Sequence, residues 1–174
     1  MSVDHVMHIT AECEYSQYPQ VSGGREVRSR TTMYTELKRD DSFLAPLELA
    51  SSLAGYGSTL SHPEHTILFE RGQKARGLFL LRTGSVRLSV PGALDRSVGP
   101  GSLLGVPGTL SKGIYSLSAE LLEESQVLFV PSERVAALMT EHPELGFQMV
   151  QLLSREIQAL RQRIGELQNT TPLP

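Results

Sequence analysis

The stretch GSLLGVPGTLSKGIYSLSAE, residues 101–120, is the part of the chain whose residue types come nearest to a binding chemistry. Closely set glycines ahead of a short helix-compatible run can aim backbone N–H groups at an anion, because the first turn of a helix leaves its N–H groups unpaired. GVPGTLSKG lacks the Gly-Lys-Ser/Thr ending of a triphosphate-binding loop, however, and Pro107 removes one donor. Elsewhere the chemistry is thin. His5, His8 and Cys13 lie close together but have no fourth ligand, and they fall in an aperiodic polar segment where an accidental surface grouping is the simpler reading. His62 and His65 flank Pro63 and read as exposed loop residues, His142 before Pro143 as a helix junction, and Glu123-Glu124 as a solvated turn. Ser116 and Ser118 alternate as on an ordinary strand. A nucleophile elbow, a phosphate-binding Lys loop and a His-Glu zinc helix are all missing, so the chain is not expected to be an enzyme.

The bulk numbers agree with a regulatory or binding role. The 174 residues are 40% hydrophobic and 20% charged, with a net charge of −3 and acids and bases interspersed. That is a globular composition without the basic face of a nucleic-acid binder. A single cysteine cannot form an internal disulfide, which leads to the expectation of a cytoplasmic protein. The start of the chain has neither the basic nor the apolar region of a signal peptide, and no apolar run is long enough to span a membrane.

Residues 1–42 are polar and aperiodic and read as a disordered extension, within which Met33 is an alternative start. From Phe43 the character changes. FLAPLELASSLAGYG places Leu44, Leu47, Leu49 and Leu53 near helical spacing, closed by Gly55 or Gly57. Short β-rich runs follow. TILFERGQ reads as a strand and turn, and GLFLLRTGSVRLSV as a hairpin with Arg82-Thr83-Gly84-Ser85 at its tip. IYSLSAELL and SQVLFV read as two further strands. Many short strands with Gly/Pro turns predict a mainly β sandwich, barrel or jelly roll. After Val130 two helices are predicted, SERVAALMTEH capped by Ser132 and a long one opened by Pro143. In the long helix Met149, Leu153, Ile157, Leu160, Ile164 and Leu167 are spaced 4, 4, 3, 4 and 3 apart, a seam that a partner helix could bury. The expected divisions are 1–42, a β-roll at 43–142, a dimerisation helix at 143–168 and a short tail at 169–174.

HTILFERGQKARGLFLLRTGSVRLSV, then GPGSLLG, then VLFVPSERVAALMTEHPEL resemble the cyclic nucleotide-binding domain of CRP/FNR-type regulators, with Gly72, Gly84, Gly101 and Gly105 at the family's turn positions. The resemblance implies a double-stranded β-helix, or jelly roll, with flanking helices and a long C-terminal dimerisation helix. It also implies a homodimeric sensor whose ligand is a cyclic nucleotide or another small apolar molecule. In the family's full-length regulators a helix-turn-helix domain follows the long helix, whereas here the sequence ends at NTTPLP, so direct DNA binding is not expected. The partners expected are a second copy of the chain, another protein or a full-length regulator.

Carried onto this chain, the family's phosphate loop covers Gly105, Val106, Pro107, Gly108, Tyr115, Ser116 and Leu117. Val106 stands at the ribose-binding glutamate position and Tyr115 at the phosphate-binding arginine position, while Ser116 matches the serine. Leu160 and Arg161 stand where the long helix reaches the base. Each lost charge-assisted hydrogen bond is worth about 1.5–3 kcal/mol. Two such losses weaken binding by roughly two to four decades, and Lys112 is a poor substitute for a guanidinium fork. The expectation is a degenerate cradle coupled to the seam at Ile157, Leu160 and Ile164. Two alternatives stay open: a true cyclic AMP or cyclic GMP site with unusual contacts, and a ligand-free dimeric interaction module. Iron–sulfur chemistry is closed to a chain with one cysteine.

Overall fold

The computed structural model describes residues 37–93 and 95–169. Eight strands form two four-stranded antiparallel sheets. They are β1 (Ser58–His62), β2 (Ile67–Phe69), β3 (Gly77–Thr83), β4 (Val86–Ser89), β5 (Arg96–Val98), β6 (Leu103–Leu104), β7 (Ser118–Leu121) and β8 (Ser125–Pro131). One sheet runs β1-β8-β3-β6 and the other β2-β7-β4-β5. The helices are α1 (Leu47–Leu53), α2 (Val106–Leu110), α3 (Ser132–Glu141) and α4 (Pro143–Asn169).

The hydrophobic pattern explains the layering. β3 and β8 are nearly continuous apolar runs because both of their faces are covered. Leu81 and Val127 point into the sandwich, where they meet Val86, Leu88, Ala119 and Leu121 of the opposite sheet. Leu80, Leu128 and Val130 point the other way, onto Leu53 of α1, Leu138 of α3 and Met149 of α4. The first sheet is thus sandwiched between the second sheet and a helical layer. The mainly β roll with flanking helices follows the expectation.

Four local readings need correction. β3 and β4 are not a hairpin: β3 pairs with β6 and β8, while β4 pairs with β5 and β7. Residues 82–85 carry the chain from one sheet to the other, and Gly84, at φ +93°, sits so close to Ser125 that a Cβ would lie 2.0 Å from its Oγ. His62 is not a loop residue, since it ends β1 opposite Ser125. Ser116 precedes β7 rather than lying on it. Ser132 is the first residue of α3, with Pro131 at the cap position. In α1, Leu47 is exposed while Leu49 and Leu53 are buried.

Residues 37–42, expected to be disordered, are fixed to the roll. Asp40 N–H donates to the Ser97 carbonyl at 2.8 Å, and Ser97 N–H donates to that of Lys38 at 3.2 Å. The Asp40 carboxylate then caps a single 3₁₀ turn, Asp41–Phe43, by accepting from Ser42 N–H and Oγ. The sequence readings that concern His5, His8, Cys13 and Met33 lie outside the described residues.

Candidate functional site

Gly105, Pro107, Gly108, Tyr115, Ser116 and Leu117, all singled out from sequence, line one cleft of about 300 Å³, open solvent included. Its enclosed part has room for about one water. The turn into α2 requires glycine at 105: φ is +83°, and a Cβ there would lie 3.0 Å from the Tyr115 ring and 3.1 Å from the Gly77 carbonyl. α2 itself is only five residues long, and its second residue is Pro107.

Tyr115 occupies the interior of this loop. It is 3% exposed, and its ring stacks on Phe69 with centroids 4.2 Å apart. Its hydroxyl donates to the Gly77 carbonyl at 2.9 Å and accepts the N–H groups of Arg76 and Gly77 at 3.0 and 3.3 Å. A phenol has one proton to give and two lone pairs to receive with. All three are committed to the start of β3, so Tyr115 has no donor left for a phosphate.

The other expected residues separate into two groups. Val106 does not line the cleft; it is fully buried in the helical core cluster. Ile157, Leu160, Arg161 and Ile164 do not line it either. They are exposed on α4, with Ile157, Leu160 and Ile164 each about half accessible. Lys112 is exposed with a positive φ of 53°.

The α4 residue that does reach the cleft is Glu156, which sequence reading passed over. It is the only carboxylate, and no ammonium or guanidinium joins it, among the residues lining the cleft. Burial raises its pKa to about 7, with a further push from Asp40 that Arg155 and Arg163 partly offset. Its Oε1 is buried without a hydrogen-bond partner among the described residues. Three of the cleft's walls are aromatic: Phe43, Phe69 and Tyr115.

Residues 39–44 close one side of this arrangement. Asp40, 5% exposed, pairs with Arg163 of α4 and lies 3.7 Å from Arg96 of β5. Arg155 donates to the Leu44 carbonyl at 2.6 Å. The N-terminal strap therefore ties the middle of α4 to the roll, and Phe43 brings it into the cleft wall. No group of three or more His, Cys, Asp or Glu among the described residues is placed to hold a metal ion. No described helix is long and apolar enough to cross a membrane.

Comparison with known proteins places these features in a family context. Residues 59–142 match the family described as the cyclic nucleotide-binding domain. The chain is 30% identical over 119 residues to the "Cyclic AMP receptor protein" of Thermus thermophilus, covering 66% of this chain and 55% of that protein. It is 32% identical over 95 residues to the "Transcriptional activator protein anr" of Pseudomonas aeruginosa, covering 52% and 38%. The match thus spans 55% and 38% of the length of these two curated relatives. In three dimensions it is similar to the Thermus thermophilus catabolite activator protein, with a TM-score of 0.61 and 26% identity over 71% of this chain and 60% of that one.

Proposed function

We propose, for a chain whose residues 59–142 belong to the cyclic nucleotide-binding domain family, that it is a CRP/FNR-like regulatory sensor with a degenerate phosphate loop. Its cleft responds to a ligand other than a cyclic nucleotide, and α4 carries the response. The observation behind this reading is the chemistry of the cleft. Where a cyclic phosphate needs a guanidinium, there is a buried phenol with every hydrogen-bonding site already used. Where a ribose needs a carboxylate there is a buried valine, and the carboxylate that is present comes instead from α4. An anion entering this cleft meets Glu156 and no cation among the residues that line it.

The route to α4 is short, because Glu156 belongs to it and the strap that lines the cleft also grips it. The exposed apolar stripe on α4 supports a homodimer formed through residues 143–168. Relatives named as a receptor protein and a transcriptional activator fit a regulatory role.

Native mass spectrometry with cyclic AMP and cyclic GMP tests the reading. A dimer that takes up neither nucleotide at micromolar concentration is expected. One nucleotide bound per chain at that concentration would overturn it.

A further inference from the structure

We propose that Glu156 selects the cleft's ligand as a small organic cation, an ammonium head carried on an apolar or aromatic body. The inference rests on the sensor reading in taking this cleft as the place where a ligand sits, and goes beyond it in naming the ligand's chemistry.

Three observations converge. Glu156 lines the cleft, and its Oε1 is buried without a hydrogen-bond partner among the described residues. A buried acceptor without a donor is costly, and a turn of the Glu156 carboxylate toward a donor in the cleft relieves it. Next, Phe43, Phe69 and Tyr115 are the aromatic members of the wall. Phe69 and Tyr115 stack on each other and are each 3% exposed, so they offer the ligand's body an apolar seat beside the carboxylate. Finally, room inside the cleft is about that of one water, which suits a head no larger than an ammonium, with the body lying toward the open side.

The charges around Glu156 set its response to pH. Asp40 on the strap raises its proton affinity, and Arg155 and Arg163 on its own helix lower it. Arg96 on β5 is engaged with Asp40, one step further out. With a pKa of about 7, Glu156 is mostly ionised at pH 8 and mostly neutral at pH 6. A cation prefers the ionised form, so its affinity falls by about tenfold between pH 8 and pH 6.

The experiment is an NMR titration of the full chain with benzylamine, benzyl alcohol and benzoate, which share one body and differ in the head. Benzylamine is expected to shift resonances of residues 105–117 and to bind about ten- to hundredfold more tightly than benzyl alcohol at pH 8. That preference should shrink about tenfold at pH 6 and disappear in Glu156→Gln, which keeps the shape of the side chain. Benzoate binding at the cleft as well as benzylamine, or no binding of benzylamine, overturns the inference. Benzoate bound at the cleft with movement of α4 resonances would leave the sensor reading standing while removing the cation preference. Benzylamine bound at the cleft while α4 beyond Glu156 stays unchanged would do the reverse.

Discussion

The Tyr115 hydroxyl donates to the Gly77 carbonyl at 2.9 Å, and the same carbonyl accepts Thr109 Oγ1 at 2.8 Å. One backbone oxygen at the start of β3 therefore fastens both the short helix α2 and the loop that follows it. Tyr115 thus spends its hydroxyl on the fold.

Tyr115→Phe should accordingly act on stability. Gly77 keeps Thr109 as a donor, but the N–H groups of Arg76 and Gly77 lose their phenolic acceptor. The expected cost is about 1–3 kcal/mol, read as a lowered urea midpoint with an unchanged slope. Unaltered stability would mean that those N–H groups readily find other acceptors.

Leu160→Asp tests pairing through α4. Leu160 is 53% exposed and lies on the same stripe as Ile157 and Ile164. Pairing has only the exposed half of each Leu160 left to bury, so its loss from two chains removes roughly 1.5–3 kcal/mol of association, or about one to two decades in Kd. Sedimentation should show monomers at concentrations where the parent protein is dimeric, with thermal unfolding of the roll little changed. A variant that still dimerises places the interface elsewhere.

Asp40→Asn tests the strap. The substitution keeps the volume and removes the charge that Arg163 and Arg96 share. Both guanidiniums keep about a fifth of their surface in solvent, so the cost should lie at the lower end for a broken ion pair, about 1–3 kcal/mol. Hydrogen exchange should accelerate along residues 40–45 and in the second half of α4, while β3 and β8 remain protected.

Glu156 makes stability depend on pH in a definite sense. Its pKa is raised from 4.5 to about 7 on folding, so between those values the folded chain holds the proton that the unfolded chain releases. Stability therefore falls as pH rises from about 4.5 to 7, and the penalty is complete above 7. Glu156→Gln removes it. Thermal scans should show the variant gaining up to about 3 kcal/mol over the parent at pH 8 and almost nothing at pH 4. Equal gains at both values would mean that Glu156 does not titrate between them.

The architecture was largely legible because its strongest signals are local. The apolar run GLFLL, the Gly turns and Pro143 each declare an element where one stands. β1 was missed because STLSH is mostly exposed and carries no alternation; it is held by pairing with β8. The false hairpin at 82–85 has a different origin. A turn signal reports that the chain reverses but says nothing of which strand each arm then meets, and here the arms enter different sheets. At the site, Tyr115 was singled out as a residue type. That its hydroxyl is consumed by Gly77 depends on how far β3 lies from the loop, which spacing does not encode. Glu156 gave no signal, since a glutamate between Arg155 and Ile157 looks like part of a solvated helix face. The strap from Asp40 to Leu44 and the roll beneath it are what turn that position inward.

The unequal burial of α4 has a mechanical consequence. Leu145, Met149 and Leu152 are sealed in the core, whereas Ile157, Leu160 and Ile164 stand half in solvent. The helix is thus a beam sealed in the core at one end, with Glu156 where that burial stops and the Arg163–Asp40 pair as a second, polar tie further out. At about 1.5 Å per residue, roughly 20 Å of cantilever extends from there to Asn169. A tilt of ~10° near Glu156 that lets go of the Arg163–Asp40 tie carries the far tip by about 3 Å, more than half a helical turn. An event the size of one ammonium ion is thereby geared up to a displacement that a partner molecule can feel.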